Sequence, residues 1–351
     1  MTTPGQPTGS QRLSYADALT LAATLNTAAV SPQIVTSTVG GLSDQVAAVR
    51  DRALTWAVRI IQALWANTNP YDGHSVAAFA ADAGRRTITA QTAAARSSAA
   101  SIVQGLAVMG VHTPATASDP ADVRRFDPVD GKLAERPDTS HVDYTGADQT
   151  TKVDVADEAT TDQIFNRVAQ TYRYQRSVGA DHDMADRAAQ ARIITMVDEN
   201  IQLADRLAAA QVLQQTVDLD VPGPKIIGYR RIIHPELSRT GTCGLCIAAS
   251  DRLYHVVDLQ PIHARCKCET AAVTTDFDPG KQLNEDDLAQ LYRAASGIGG
   301  DPTTAAPSLK RVRYLIDEHG ELGPVLVPNR AHKPRKTVPT QPRRRKTKAA
   351  K

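Results

Sequence analysis

The chain has 351 residues, with 40 Lys and Arg against 38 Asp and Glu, and only 4% of its residues are aromatic. Residues 330–351 hold ten of the basic side chains and no acid, so the remainder carries 30 basic and 38 acidic groups: a −8 body beside a +10 tail. No run approaches the ~18–20 apolar residues of a membrane span, the start lacks the basic and apolar segments of a signal peptide, and four cysteines are too few for a disulfide scaffold; a cytoplasmic chain with no membrane partner is expected.

The first dozen residues, rich in Thr, Pro, Gly and Gln, are expected to be disordered. Leu13 to Leu25 reads as a first helix. Residues 33–66 read as a longer one, interrupted near Gly40-Gly41. Val49, Ala53, Trp56, Ile60 and Leu64 recur within it at helical spacing and are expected to form its buried face, with Arg50, Arg52 and Arg59 off that stripe. Asn67-Thr68-Asn69-Pro70 stops it. Ser75 to Ala83 and Thr87 to Met109 give two further helical stretches, so residues 13–112 read as an N-terminal helical bundle.

Residues 113–156 are Pro- and Asp-rich and read as a linker. Acids at alternate positions with a closing Glu, as a calcium loop needs, are missing. Helix returns after Asp157, with Ile164, Val168, Thr171 and Tyr172 on one stripe. Residues 182–215 read as one long helix with apolar positions at Met184, Ala188, Ala191, Ile194, Val197, Ile201, Ala204, Ala208 and Val212; at 1.5 Å per residue it reaches roughly 50 Å, a length suited to an arm or stalk. Short strands are expected at Ile226 to Ile233, Leu253 to Val257 and Glu269 to Val273, and helices at 284–296 and 308–319. From about 329 the basic tail is expected to be disordered. The fold class is therefore mainly α with a small α+β module at 225–275 inside a 157–328 domain.

All four cysteines fall in one window: Cys243-Gly-Leu-Cys246, then His263-Ala-Arg-Cys266-Lys-Cys268. A C-x2-C turn aims two sulfurs at one point, and a second element carrying His and Cys completes a tetrahedron around zinc. Disulfides would need an oxidising compartment, which the chain's start does not suggest. Cys243, Cys246 and Cys268 are the expected ligands, with either His263 or Cys266 as the fourth. A filled four-ligand site leaves no position for a reactive water, so the zinc is expected to be structural.

The run from Gly228-Tyr-Arg-Arg-Ile-Ile-His-Pro to Cys246, followed by Pro261-Ile-His-Ala-Arg-Cys-Lys-Cys268, resembles the Mu F-like minor head proteins of tailed bacteriophages, especially those of actinobacterial phages. Their hallmark is a cysteine pair followed by His-x-x-Cys-x-Cys after a long helical region. Here Ala264 stands where the family usually has Pro. The resemblance implies a minor capsid protein in head morphogenesis, located in the procapsid and virion head, with portal, scaffold and major capsid proteins as partners. It also brings an alternative, since such proteins are often labelled capsid maturation proteases.

The residues give the protease little support. The chain has no HExxH and no G-x-S-x-G, and His234, Ser238 and His263 are neighbours only in sequence. Gly297-Ile-Gly-Gly300 lacks the lysine of a phosphate loop. In the tail, Arg343, Arg344, Arg345, Lys346 and Lys348 head the candidates for contact with packaged DNA. Without aromatics they would neutralise phosphates and not stack on bases.

Overall fold

Ser31 starts the first long helix, α1 (Pro32–Trp65): its hydroxyl accepts the Ile34 N–H at 3.4 Å, and Pro32 occupies a first-turn position where no N–H is needed. The computed structural model describes residues 31–117, 123, 160–234, 237, 249–256, 266–295, 314–319 and 323–328. The expected helix at 13–25, most of the 113–156 linker and the basic tail lie outside them. A turn at Asn67–Asp72 leads into α2 (Gly73–Val108), whose cap, Asp72, accepts the His74 N–H at 3.1 Å. The two helices run antiparallel, with Trp65 against Phe79 at one end and Gly105 near Val39 at the other.

Two expected breaks do not occur. α1 runs unbroken through Gly40 and Gly41, both buried, and α2 joins the two stretches expected on either side of Gly84. Glycine costs a helix about 1 kcal/mol relative to alanine, but close packing offsets this. At Gly84 a Cβ would lie 2.7 Å from Asp162 Cα, so the glycine lets α2 touch the short helix α3 (Thr161–Ile164). Gly84→Ala is expected to destabilise by about 1–3 kcal/mol despite alanine's better helix propensity, read as a lower urea midpoint at unchanged slope.

The buried face of α1 is also not the expected one. Val46, Arg50, Ala53, Ala57, Ile61 and Trp65 point inward, while Trp56 is 39% exposed. The stripe is rotated by about one residue, or ~100°, which carries Arg50 into the interior.

α4 (Asn166–Ser177) buries Val168 and Tyr172, as expected, beside Ile164 of α3. α5 (His182–Asp218) follows, with Asp181 accepting the Met184 N–H at 2.7 Å. Its extent matches the expectation, but it is not an arm or stalk. It runs through both main cores, because its two halves pack on different partners. Ala185, Ala189, Ile193 and Met196, not Met184, Ala188 and Ala191, face a core shared with α1, α2 and α4. Ala204 to Leu213 join a second core with Val35, Ile102 and Leu106, where Val111 and, from the start of the linker, Ala115 also pack. Between them the helix is buried on all sides. The scarce aromatics are concentrated in the first core, where Trp65, Phe79, Phe165 and Tyr172 meet edge to face at 5.4–6.4 Å.

Strands β1 (Ile226–Ile232) and β2 (Glu269–Thr274) pair antiparallel, from Ile226↔Thr274 to Ile232↔Glu269. The strand expected at Leu253 to Val257 is reduced to one bridge: Tyr254 exchanges backbone hydrogen bonds of 2.9 Å with Tyr229. Gly228 makes this approach possible, since a Cβ there would lie 2.2 Å from the Tyr254 carbonyl oxygen. Helix α6 (Pro279–Ala295) covers the sheet, and the buried Asn284 accepts from Ile233 N–H at 3.0 Å and donates to the Arg231 carbonyl at 2.6 Å. Of the helix expected at 308–319, residues 308–313 lie outside the described residues and the rest is strand β3 (Tyr314–His319), paired antiparallel with β4 (Gly323–Pro328). No described helix is long and apolar enough to cross a membrane.

Candidate metal centre and its buried ionic network

The register Ile232↔Glu269 sets Cys268, the residue before β2, beside the end of β1. β1 leads out toward Cys243 and Cys246, and Cys268 immediately precedes β2. Cys243, Cys246 and His263 lie outside the described residues. Cys266 and Cys268 lie within them, both buried, beside Ile233 and Ala249, and not joined to each other as a disulfide. Among the described residues, no three His, Cys, Asp or Glu side chains form a metal-binding group.

The fit of a metal is therefore judged on the surroundings of the two described cysteines. Arg206 of α5 places Nη2 3.8 Å from Cys266 Sγ and also donates to the Cys268 carbonyl, while Nη1 donates to Thr270 Oγ1 at 3.4 Å. Burial opposes the guanidinium's charge. The Cys266 side chain, Asp205, Glu269 and Cys268 outweigh it and raise its pKa above the ordinary value. Two water-excluded sulfurs beside a fixed cation suit thiolate ligation, since the cation offsets part of the charge that several thiolates bring to one ion.

A second arginine extends the network into α1. Arg50 Nη1 lies 3.1 Å from Asp205 Oδ2 and 2.7 Å from Glu269 Oε1, and Nη2 donates to the Lys267 carbonyl at 3.3 Å. Arg50, Asp205, Arg206 and Glu269 are each at most 3% exposed. Burial pushes the Glu269 carboxyl well above its ordinary range, with the neighbouring Asp205 adding to the effect and Arg50 opposing it. At the rim Lys267 Nζ stands 3.9 Å from Asp198 Oδ1. The network links α1, α5 and β2 through charge-assisted contacts around the cysteine limb.

Beside it opens a cleft of about 670 Å³, lined by Asp44, Asp51, Leu54, His234, Leu237 and Lys267 among others. His234 Nε2 meets Ser43 Oγ at 2.9 Å, and its Nδ1 lies 3.8 Å from Asp44 Oδ1. Those residue types match a Ser–His–Asp triad. The surroundings of Ser43 do not suit a nucleophile: it is 3% exposed, does not line the cleft, and sits well inside α1, where backbone N–H groups are consumed by the helix. The other serine and histidine weighed from the sequence, Ser238 and His263, lie outside the described residues, as do Arg343, Arg344, Arg345, Lys346 and Lys348. His255 is exposed.

Sequence periodicity alone did not reveal Arg50, Asp205, Arg206 or Glu269. The available signal was the polar run Asp198-Glu199-Asn200 and the pair Asp205-Arg206, which fall in the stretch of α5 from Met196 to Ala209 that is buried throughout. Comparisons with family models, curated proteins and solved structures return no match.

Proposed function

We propose that the chain is a Mu F-like minor head protein of a tailed bacteriophage, acting in head morphogenesis at the portal and procapsid. Its cysteine module is a structural zinc knuckle held by Cys243, Cys246, Cys268 and either Cys266 or His263. The sequence likeness motivates the family. The observation that supports the metal reading is the burial of Cys266 and Cys268 beside Arg206, at the start of β2. Zinc so held would organise the segment and perform no chemistry.

Within the particle, the −8 body disfavours contact with packaged DNA, while the +10 tail favours it through phosphate neutralisation. Portal, scaffold and major capsid proteins are the expected partners. The test is mass spectrometry of purified procapsids and mature heads, together with zinc analysis of protein purified without added metal. Presence in particles and about one zinc per chain are expected. Absence from every particle form removes the head role, and zinc-free protein with all four thiols reactive in the native state removes the knuckle.

The Ser43–His234 contact favours a second reading, a capsid maturation protease. Burial of Ser43 weighs against it. If Ser43→Ala abolishes cleavage of head proteins in co-expression, the protease reading replaces the structural one.

A further inference from the structure

Arg206 is 1% exposed at the middle of α5, and its guanidinium spreads along a single limb. Its contacts fall on Cys266, Cys268 and Thr270: the sulfur of the first at 3.8 Å, the carbonyl of the second, and the hydroxyl of the third at 3.4 Å. Alternate residues of an extended chain share a face, so one planar fork reads the face that the limb turns toward the helix. The fork has five donors in fixed geometry, whereas a lysine ammonium offers one point of charge. On its other side, Arg206 adjoins Asp205, which is held by Arg50 of α1.

Resting on the zinc reading above, we infer that Arg206 is a positioning residue for the metal centre: it fixes the Cys266–Cys268 limb against α5 and supplies the counter-charge that lets buried thiolates bind zinc. The centre is thereby anchored to the helical core and does not hang on its own loop. Partners of this kind, which touch ligands and not the metal, typically change metal affinity by about 10–100-fold when removed.

The test uses full-length protein with Arg206 intact, Arg206→Lys and Arg206→Met. Zinc affinity is measured by competition with a chelating dye, and thermal unfolding is followed with zinc bound and after its removal. Arg206→Met is expected to weaken zinc binding by about 10–100-fold, and Arg206→Lys by about tenfold, because lysine keeps the charge but loses the fork. The stabilisation that zinc confers should shrink in both. An arginine that serves packing alone would lower the melting temperature of zinc-bound and zinc-free protein equally and leave affinity untouched. Zinc binding within about threefold of wild type in a folded variant overturns the inference. If Arg206→Met does not fold, Arg206→Lys decides. Wild-type protein that binds no zinc removes the metal reading and this inference with it, whereas zinc-loaded wild type with unaffected variants removes the role of Arg206 alone.

Discussion

Arg50→Met is expected to lower the unfolding free energy by about 3–5 kcal/mol, measured by urea denaturation near neutral pH. The side chains are similar in length, so little cavity opens. What is lost is the positive charge that faces Asp205 at 3.1 Å and Glu269 at 2.7 Å, in a place where water cannot replace it. Removing one partner of a buried ionic set costs more than the set contributes as a whole, because the remaining charges stay buried without compensation. Against a total stability of typically 5–15 kcal/mol, this one change approaches the limit of a folded protein. A loss below about 1 kcal/mol would mean that the arginine is solvated and the network unimportant.

Glu269 supplies an internal check. Its carboxyl is pushed well above the ordinary 4.5 by burial, so between the unfolded-state and folded-state pKa the folded protein holds a proton that the unfolded chain releases. The stabilisation from this group is complete below the unfolded-state pKa and is lost as the pH rises through the folded-state pKa. The slope is at most about 1.4 kcal/mol per pH unit for one proton. Glu269→Gln keeps a neutral side chain of the same shape and should flatten that slope. Measured above the folded-state pKa of Glu269, where its carboxyl is charged, the combination with Arg50→Met should recover about 0.5–3 kcal/mol relative to additivity.

These two residues show what the sequence could and could not reveal. The extent of α5 follows from apolar spacing of three and four, and the strands at Ile226 and Glu269 from short β-branched runs; the structure keeps all three. Facing is harder to read. Hydrophobicity assigned Trp56 inward and Arg50 outward, yet Ala53 and Ala57 let neighbouring helices approach α1 closely, and Arg50 finds its acids on α5 and β2, more than 150 residues away. No local pattern contains that pairing. The stalk reading of α5 failed for a related reason: one helix passing through two cores needs different faces in its two halves, so no single stripe describes it. Residues 314–319 are a short run of mixed apolar and charged side chains, for which helix and strand are close alternatives until a partner strand such as Gly323–Pro328 decides. For the cysteines, the motif showed which side chains are candidates, and the structure added the burial of Cys266 and Cys268 against Arg206.

Removing zinc is expected to have a localised effect that is larger than that of any single core substitution within its reach. Among the described residues, the apolar cluster around Cys266 and Cys268 includes Ile233 and Ala249, with Tyr254 and Leu288 packed against it. Ordering the backbone of the segment costs about 1–2 kcal/mol per residue. Structural zinc contributes on the order of 10–16 kcal/mol of binding free energy in small peptides, and that is the term available to hold such a segment. The core built on Trp65, Phe79, Phe165 and Ile193 lies on other elements and owes nothing to the metal. Stripping zinc with a chelator under reducing conditions should therefore leave most of the helical circular dichroism, while amide exchange in β1 and β2 accelerates by about a hundredfold or more. Restoring zinc should reverse the change, and Cys268→Ser should reproduce it without a chelator. If β1 and β2 instead keep their protection after the metal is removed, α6 and the Arg50–Arg206 network are enough to hold the sheet, and zinc is not what folds this part of the molecule.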